Sequence, residues 1–361
     1  MKRKILVSHL LILFALSLQA QSDSLKTRNI ILVTLDGLRW QEVFTGADPN
    51  LIINKKYVVN DIYDKYWNND PVVRRSKLMP FLWSTFVPGG QIYGNRNNRS
   101  FFSLTNIHHT SYPGYNELLT GFADPGIENN DHGVNRNENI FDFIIKNRTE
   151  FKEKIAVFAS WQPFNGILNE KPGHIIVNPG LEEIDPQLLL PGHEILNDMQ
   201  FSLPDVFDGI RLDALTYYMA FSYLKMNRPR ILYLALDETD DFAHQGRYDH
   251  YLNSARYSDT LIQQLWNWIQ TDSEYKNTTT LILTSDHGRG DGKKWTSHGS
   301  KTPGSDATWF AVIGPDTPAA GEVADVQYYY NQIAATIAAL LGMDYVSDNP
   351  HGKPIFKVLG K

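Results

Sequence analysis

The chain has 361 residues, 42% hydrophobic and 12% aromatic, enough to bury a large core in one domain or in a domain with an inserted cap. A formal net charge of -6 and the lack of a basic tract argue against a nucleic-acid partner. There is no cysteine, so disulfides and thiol chemistry are excluded.

The first residues read as a targeting signal. Met1-Lys2-Arg3-Lys4 is a positive start, residues 5–18 are an apolar run, and Gln19-Ala20 before Gln21 suits cleavage. The alternative is an uncleaved anchor, for which the run is short. The expectation is a signal peptide over 1–20 and a soluble exported chain over 21–361, periplasmic or secreted in a bacterium. Lipidation at the cleavage point would need a Cys, so no stable membrane anchor is expected.

Asn29-Ile30-Ile31-Leu32-Val33-Thr34-Leu35 reads as a strand buried on both faces. It ends in Asp36-Gly37, where an Asp either faces a ligand crevice or caps a helix. Residues 41–98 are polar and aromatic with weak periodicity and read as surface helices and loops. Residues 100–104 read as a short strand. Then Thr110-Ser111-Tyr112-Pro113-Gly114-Tyr115 marks a turn into a helix over 116–120, closed by Gly121. Ser111 there is either a group beside an anion site or simply an N-cap.

A second buried strand is read over 154–159. Residues 161–204, rich in Pro, Gly and Asn, read as a cap or insertion, with His174 and His193 as loop or substrate-side residues. Trp161 and Phe164 are either core residues or a stacking surface for substrate. A helix is predicted over 213–226 and a third strand over 231–236. That strand runs into Asp237-Glu238-Thr239-Asp240-Asp241-Phe242-Ala243-His244. Asp240 and His244, four apart, share a face if the loop makes a helical turn.

An amphipathic helix follows over 251–271, then a strand over 279–283 ending in Thr284-Ser285-Asp286-His287-Gly288-Arg289-Gly290. A carboxylate and an imidazole beside turn-permitting glycines suit either a metal or a solvated turn. Further on come His298-Gly299, a strand over 309–313 and an Ala-rich helix over 332–341. Strands alternating with helices predict an α/β fold, a mainly parallel sheet covered on both faces.

Collected, the strand-end candidates are Asp36, Ser111, Asp240, His244, Asp286, His287 and His298. Three carboxylates, three imidazoles and a hydroxyl suit two divalent ions. The mixed N/O set favours Zn2+, with Mn2+ or Fe as alternatives. Two ions roughly 4 Å apart can hold the attacking and leaving oxygens of a phosphoryl transfer.

The sequence resembles the alkaline phosphatase superfamily, most closely its type I phosphodiesterase/nucleotide pyrophosphatase branch. The matching pieces are Leu35-Asp36-Gly37, Ser111-Tyr112-Pro113 with Thr120-Gly121, Glu238-Thr239-Asp240 with His244, Thr284-Ser285-Asp286-His287-Gly288, and His298-Gly299. The resemblance spans residues 28 to 345 and implies an alkaline phosphatase-like fold. It implies that Asp240, His244 and His298 bind one metal, and Asp36, Asp286 and His287 the other. Ser111 would bridge them as nucleophile, forming a phospho-Ser intermediate on a small phosphate-ester substrate.

The branch usually has Thr as nucleophile and Asn three residues on, where this chain has Ser111 and Gly114. Asn116, or an Arg or Lys from elsewhere, would replace that Asn against a phosphate oxygen. The alternatives are a phosphomonoesterase and a phosphoglycerate mutase-like metalloenzyme. A sulfatase fits less well, because Tyr115 replaces the Arg of its Cys/Ser-x-Pro-x-Arg context and Asp286-His287 replaces its carboxylate and amide. A catalytically inactive binding module fits least, since all seven positions are competent.

Overall fold

The computed structural model describes residues 25–169 and 175–361, so residues 1–20, read above as a signal peptide, and His174 lie outside it. The strands are β1 (Asn29–Leu35), β2 (Gln91–Tyr93), β3 (Ser100–Ser103), β4 (Ile155–Ala159), β5 (Ile176–Pro179), β6 (Ile231–Leu236), β7 (Thr279–Thr284), β8 (Phe310–Ile313), β9 (Gly321–Glu322) and β10 (Val326–Tyr329). Eight form one sheet in the order β5-β4-β6-β1-β7-β8-β2-β9, and β10 pairs with β3 in a separate ribbon. Only β8 runs against its neighbours, pairing antiparallel with β7 and β2.

The apolar run of β1 explains its central place. Ile31, Val33 and Leu35 join one buried cluster, and Ile30 and Leu32 join the other, so successive side chains feed opposite faces. The helices Asp213–Asn227 and Tyr248–Thr271 pack on the first face. Ser111–Thr120, Ile140–Asn147 and Ile333–Leu340 cover the second. The fold is the expected α/β one.

Three local expectations are corrected. Residues 41–98 are not all surface: Val43, Phe44, Leu78, Phe81, Leu82 and Phe86 are core, and β2 belongs to the main sheet. The segment 161–204 is not wholly a cap, because its β5 continues the sheet beside β4. The helix read over 116–120 begins at Ser111. Pro113 is tolerated because it lies in the first turn, where a backbone N–H has no helical partner to lose.

Candidate metal centre and nucleophile

The neighbouring parallel strands β6, β1 and β7 end side by side. In open α/β sheets ligands gather at these carboxyl ends. Asp36 follows β1 directly, and Asp286 and His287 follow β7 after Ser285. β6 leads through Asp237 into the helix Glu238–His244, which carries Asp240 and His244. Asp213 fixes that helix start. Its carboxylate accepts the backbone N–H groups of Asp237 at 2.8 Å and Glu238 at 3.1 Å, and Glu238 accepts the Asp213 N–H at 3.1 Å in return. Each acidic residue thus caps the other's helix.

Asp36, Asp286, His287 and Ser111 converge. Asp36 Oδ2 accepts the Tyr115 hydroxyl at 2.7 Å, and Asp286 Oδ1 accepts the Gly37 N–H at 3.0 Å. The other oxygens, Asp36 Oδ1 and Asp286 Oδ2, are buried without partners. His287 Nδ1 lies 2.9 Å from the Gly288 carbonyl, which places the proton there and leaves Nε2 a free lone pair. That Nε2 is 3.4 Å from Asp36 Oδ1, 3.5 Å from Asp286 Oδ2 and 3.3 Å from Ser111 Oγ. Two orphaned oxygens and an imidazole nitrogen therefore surround one point beside the Ser111 hydroxyl.

Asp240, His244 and His298 form the adjoining group. Asp240 Oδ2 is 3.0 Å from His244 Nε2, which is 3.0 Å from His298 Nε2. His298 Nδ1 lies 3.0 Å from the His109 carbonyl, again leaving Nε2 to point inward. His109 adopts a left-handed φ of 52° to present that carbonyl. The rings of His287 and His298 stack at 3.9 Å, and His287 Nε2 is 3.7 Å from Asp240 Oδ1, so the two groups share a wall.

The electrostatics fit cations. Burial, with the Asp286 charge added, pushes the Asp36 carboxyl up to about 7, and burial pushes Asp286 up to about 7. Burial pushes His287, His244 and His298 below the ordinary imidazole value, so all three are in the neutral, ligating form at neutral pH. Buried carboxylates facing each other without a counter-charge are costly. The orphaned oxygens, the neutral imidazoles and the N/O donor mix all suit divalent ions, and the donor set favours Zn2+.

Ser111 is the first residue of its helix, and Thr110 before it is extended at φ -125° and ψ 165°. Ser111 Oγ reaches His287, whereas Thr110 Oγ1 is buried without a partner. Gly114 is dictated by contact: a Cβ there would stand 2.5 Å from the Asp286 carbonyl oxygen. Asn116 does not replace the missing Asn. Its Nδ2 donates to the Phe122 carbonyl at 2.7 Å, and its Oδ1 accepts from Asn135 and Asn137, so its amide is spent inside the fold. Phe164 is core, packing at 4.7 Å on Tyr115, with Trp161 at 6.3 Å. His193 sits in a turn, outside the two candidate ligand clusters Asp36/Asp286/His287 and Asp240/His287/His298, which share His287; His244 extends the second through its contacts with Asp240 and His298.

Two residues named in the sequence reading were given no site role there. Tyr115 lies four residues after Ser111, so helical spacing puts both on one face, and that signal was available. Arg289 is fully buried beside Asp240 and stood in plain view within the motif after β7.

A family model described as Sulfatase matches residues 95–343, more than half of the chain. The chain belongs to the sulfatase family. It is a hydrolase of the alkaline phosphatase superfamily, whose members use divalent metals. Among solved structures, an alkaline phosphatase PafA mutant aligns with a TM-score of 0.62 at 10% identity, covering 93% of this chain and 99% of that one. The lipoteichoic acid synthase LtaP from Listeria monocytogenes aligns at 0.59 and 14% identity, covering 92% and 76%. The phosphonate monoester hydrolase of Agrobacterium radiobacter aligns at 0.57 and 12%, covering 92% and 77%. At these identities the likeness is one of fold. No curated protein matches. Tyr115, which stands where the sequence comparison above placed an Arg in sulfatases, holds Asp36.

Proposed function

We propose that this member of the sulfatase family is an exported phosphoric-ester hydrolase of phosphodiesterase type. In this reading it holds two divalent ions, and Ser111 is the nucleophile. The observation that carries the reading is the approach of Ser111 Oγ to within 3.3 Å of His287 Nε2, beside the unpartnered oxygens of Asp36 and Asp286. Asp36, Asp286 and His287 would hold one ion, and Asp240, His244 and His298 the other. When bound, such ions lower the pKa of a hydroxyl and offset charge on the attacking and leaving oxygens.

The chain's own residues do the rest. Ser111 Oγ, at the first position of its helix, gives up its proton to solvent and forms the new bond to phosphorus as the bond to the leaving oxygen breaks, and the leaving oxygen takes up a proton from solvent. Water then cleaves the phospho-Ser and restores the hydroxyl. Tyr115 orients Asp36, the Gly288 carbonyl orients His287, and the His109 carbonyl orients His298.

Support for a diester comes from charge. Arg289, a buried guanidinium of the site, is committed to Asp240 and to the Trp295 and Thr296 carbonyls, so it is not free to clamp a dianionic monoester at Ser111. Tyr115 and the Asp286-His287 pair speak against a sulfate ester. Export rests on residues 1–20. Among the described residues no helix is long and apolar enough to cross a membrane.

The test is a zinc-loaded panel of p-nitrophenyl phosphate, bis-p-nitrophenyl phosphate, a nucleotide p-nitrophenyl ester and p-nitrophenyl sulfate. Diesters should turn over fastest and sulfate negligibly. A monoester preference of tenfold in kcat/KM, about 1.4 kcal/mol of transition-state binding, overturns the diesterase assignment. Ser111→Ala should lose several orders of magnitude in kcat while keeping its metals.

A further inference from the structure

Arg289 is an unusual occupant of a cation site. Its side chain is fully buried. Nε donates to the Trp295 carbonyl at 2.9 Å and Nη2 to the Thr296 carbonyl at 2.8 Å, so the fork is fixed from behind. Nη1 donates to Asp240 Oδ1. A Cβ on Gly37 would stand 2.4 Å from Asp240 Oδ1 and 2.8 Å from Nη1, so the Asp36-Gly37 turn closes over the pair. A guanidinium anchored on two backbone carbonyls cannot withdraw easily, and although burial lowers its pKa to about 9 it stays charged at neutral pH.

The two ligand groups therefore start from different states. Asp36 and Asp286 each present a buried oxygen with no hydrogen-bond partner, and Arg289 acts on Asp36 through charge without donating a hydrogen bond to it. Asp240 is the sole carboxylate of its group, one of its oxygens is already held by Arg289, and its companion His244 is half exposed.

We propose that Arg289 is a positioning residue that makes the two metal positions unequal. It pre-orients Asp240 while weakening that position for a second dication. The Asp36/Asp286/His287 position then fills first, and the Asp240/His244/His298 position fills second and exchanges more readily. The inference rests on the two-ion reading above but not on the choice of ester. The guanidinium sits within contact distance of a metal ligand, where like charges in a buried setting repel strongly. Asp240 Oδ2 remains turned toward His244, so the second position is weakened and not blocked.

The test is direct metal binding. Apo-protein would be titrated with Zn2+ against a competing chelator, and bound metal counted by elemental analysis. The wild type should show two steps at least tenfold apart. Arg289→Met, which keeps length and apolar bulk, should tighten the weaker step at least tenfold and the tighter step by less, so that the gap narrows, because Asp240 loses a direct hydrogen bond and Asp36 only a nearby charge. Arg289→Lys, which keeps the charge without the fork, should leave the two steps apart. Asp240→Asn should abolish only the weaker step.

Equal affinities in the wild type, or an unchanged gap in Arg289→Met, overturn the proposal. Binding of fewer than two ions by the wild type would instead sink the two-ion reading. Should Arg289→Met fail to fold, the wild-type, Arg289→Lys and Asp240→Asn titrations still decide. A gap that closes in Arg289→Lys, or a tighter step that vanishes in Asp240→Asn, refutes the assignment.

Discussion

Tyr115→Phe isolates one hydrogen bond at the centre of this site. The Tyr115 hydroxyl donates to Asp36 Oδ2 at 2.7 Å, and both groups are fully buried. The ring itself packs on Phe164 at 4.7 Å, and phenylalanine preserves that contact. What is lost is a hydrogen bond to a charged acceptor, worth about 1.5–3 kcal/mol where it is buried. In the metal-bound protein the loss falls on the ionised, ligating form of Asp36. Metal affinity at the Asp36/Asp286/His287 position should then drop by roughly tenfold to a hundredfold, the range expected when a ligand loses its orienting partner. The Asp240/His244/His298 position should change little, and kcat at saturating metal should stay within about fivefold, because Ser111 and the ligands remain. The assay is a zinc titration against a chelator, with thermal unfolding of the metal-free chain as a control. Unchanged affinity would show that the Tyr115 contact does not tune Asp36.

Other outcomes follow from the same geometry. Gly114→Asn, which restores the residue usual in the resembled diesterases, should destabilise the fold by about 2 kcal/mol or more and lower activity, because its Cβ meets the Asp286 carbonyl; thermal unfolding reads this. Thr110→Ala should keep most of the activity that Ser111→Ala loses, since only Ser111 reaches His287, and mass spectrometry of a trapped phosphoryl group distinguishes the two. Metal binding should tighten as pH rises from about 5.5 to 7.5. The Asp36 and Asp286 carboxyls are raised to about 7, so their contribution to metal-free stability is present below about 4 and fades as pH climbs toward 7. A ligating carboxylate must give up that proton, so the metal-induced rise in Tm should grow across the window, and a flat response would contradict the ligand set.

What the sequence could reveal depended on the range of the interaction involved. β1, β6 and β7 were legible because a strand buried on both faces is apolar along nearly its whole length, and the ends of such strands are where ligands gather in an open α/β sheet. Asp240 with His244 was legible because a helical turn gives the i,i+4 pair one face. β2 was not legible: three residues, Gln91-Ile92-Tyr93, carry too little pattern, and their place is set by antiparallel pairing with β8, more than two hundred residues away. The helix start at Ser111 was hidden by Pro113, which reads as a breaker but is harmless in a first turn. Asn116 seemed available to substrate until its amide was seen to close a loop with Phe122, Asn135 and Asn137, contacts that no local spacing announces. Arg289 belongs to the same class. Its neighbours in sequence read as a metal motif, yet its contacts are to Asp240, 49 positions away, and to two carbonyls that only the folded loop brings to it. The proposed ligands are thus written locally at strand ends, while the groups proposed to tune them arrive through tertiary contacts, which is why Tyr115→Phe and Arg289→Met test the reading more sharply than removal of any one candidate ligand.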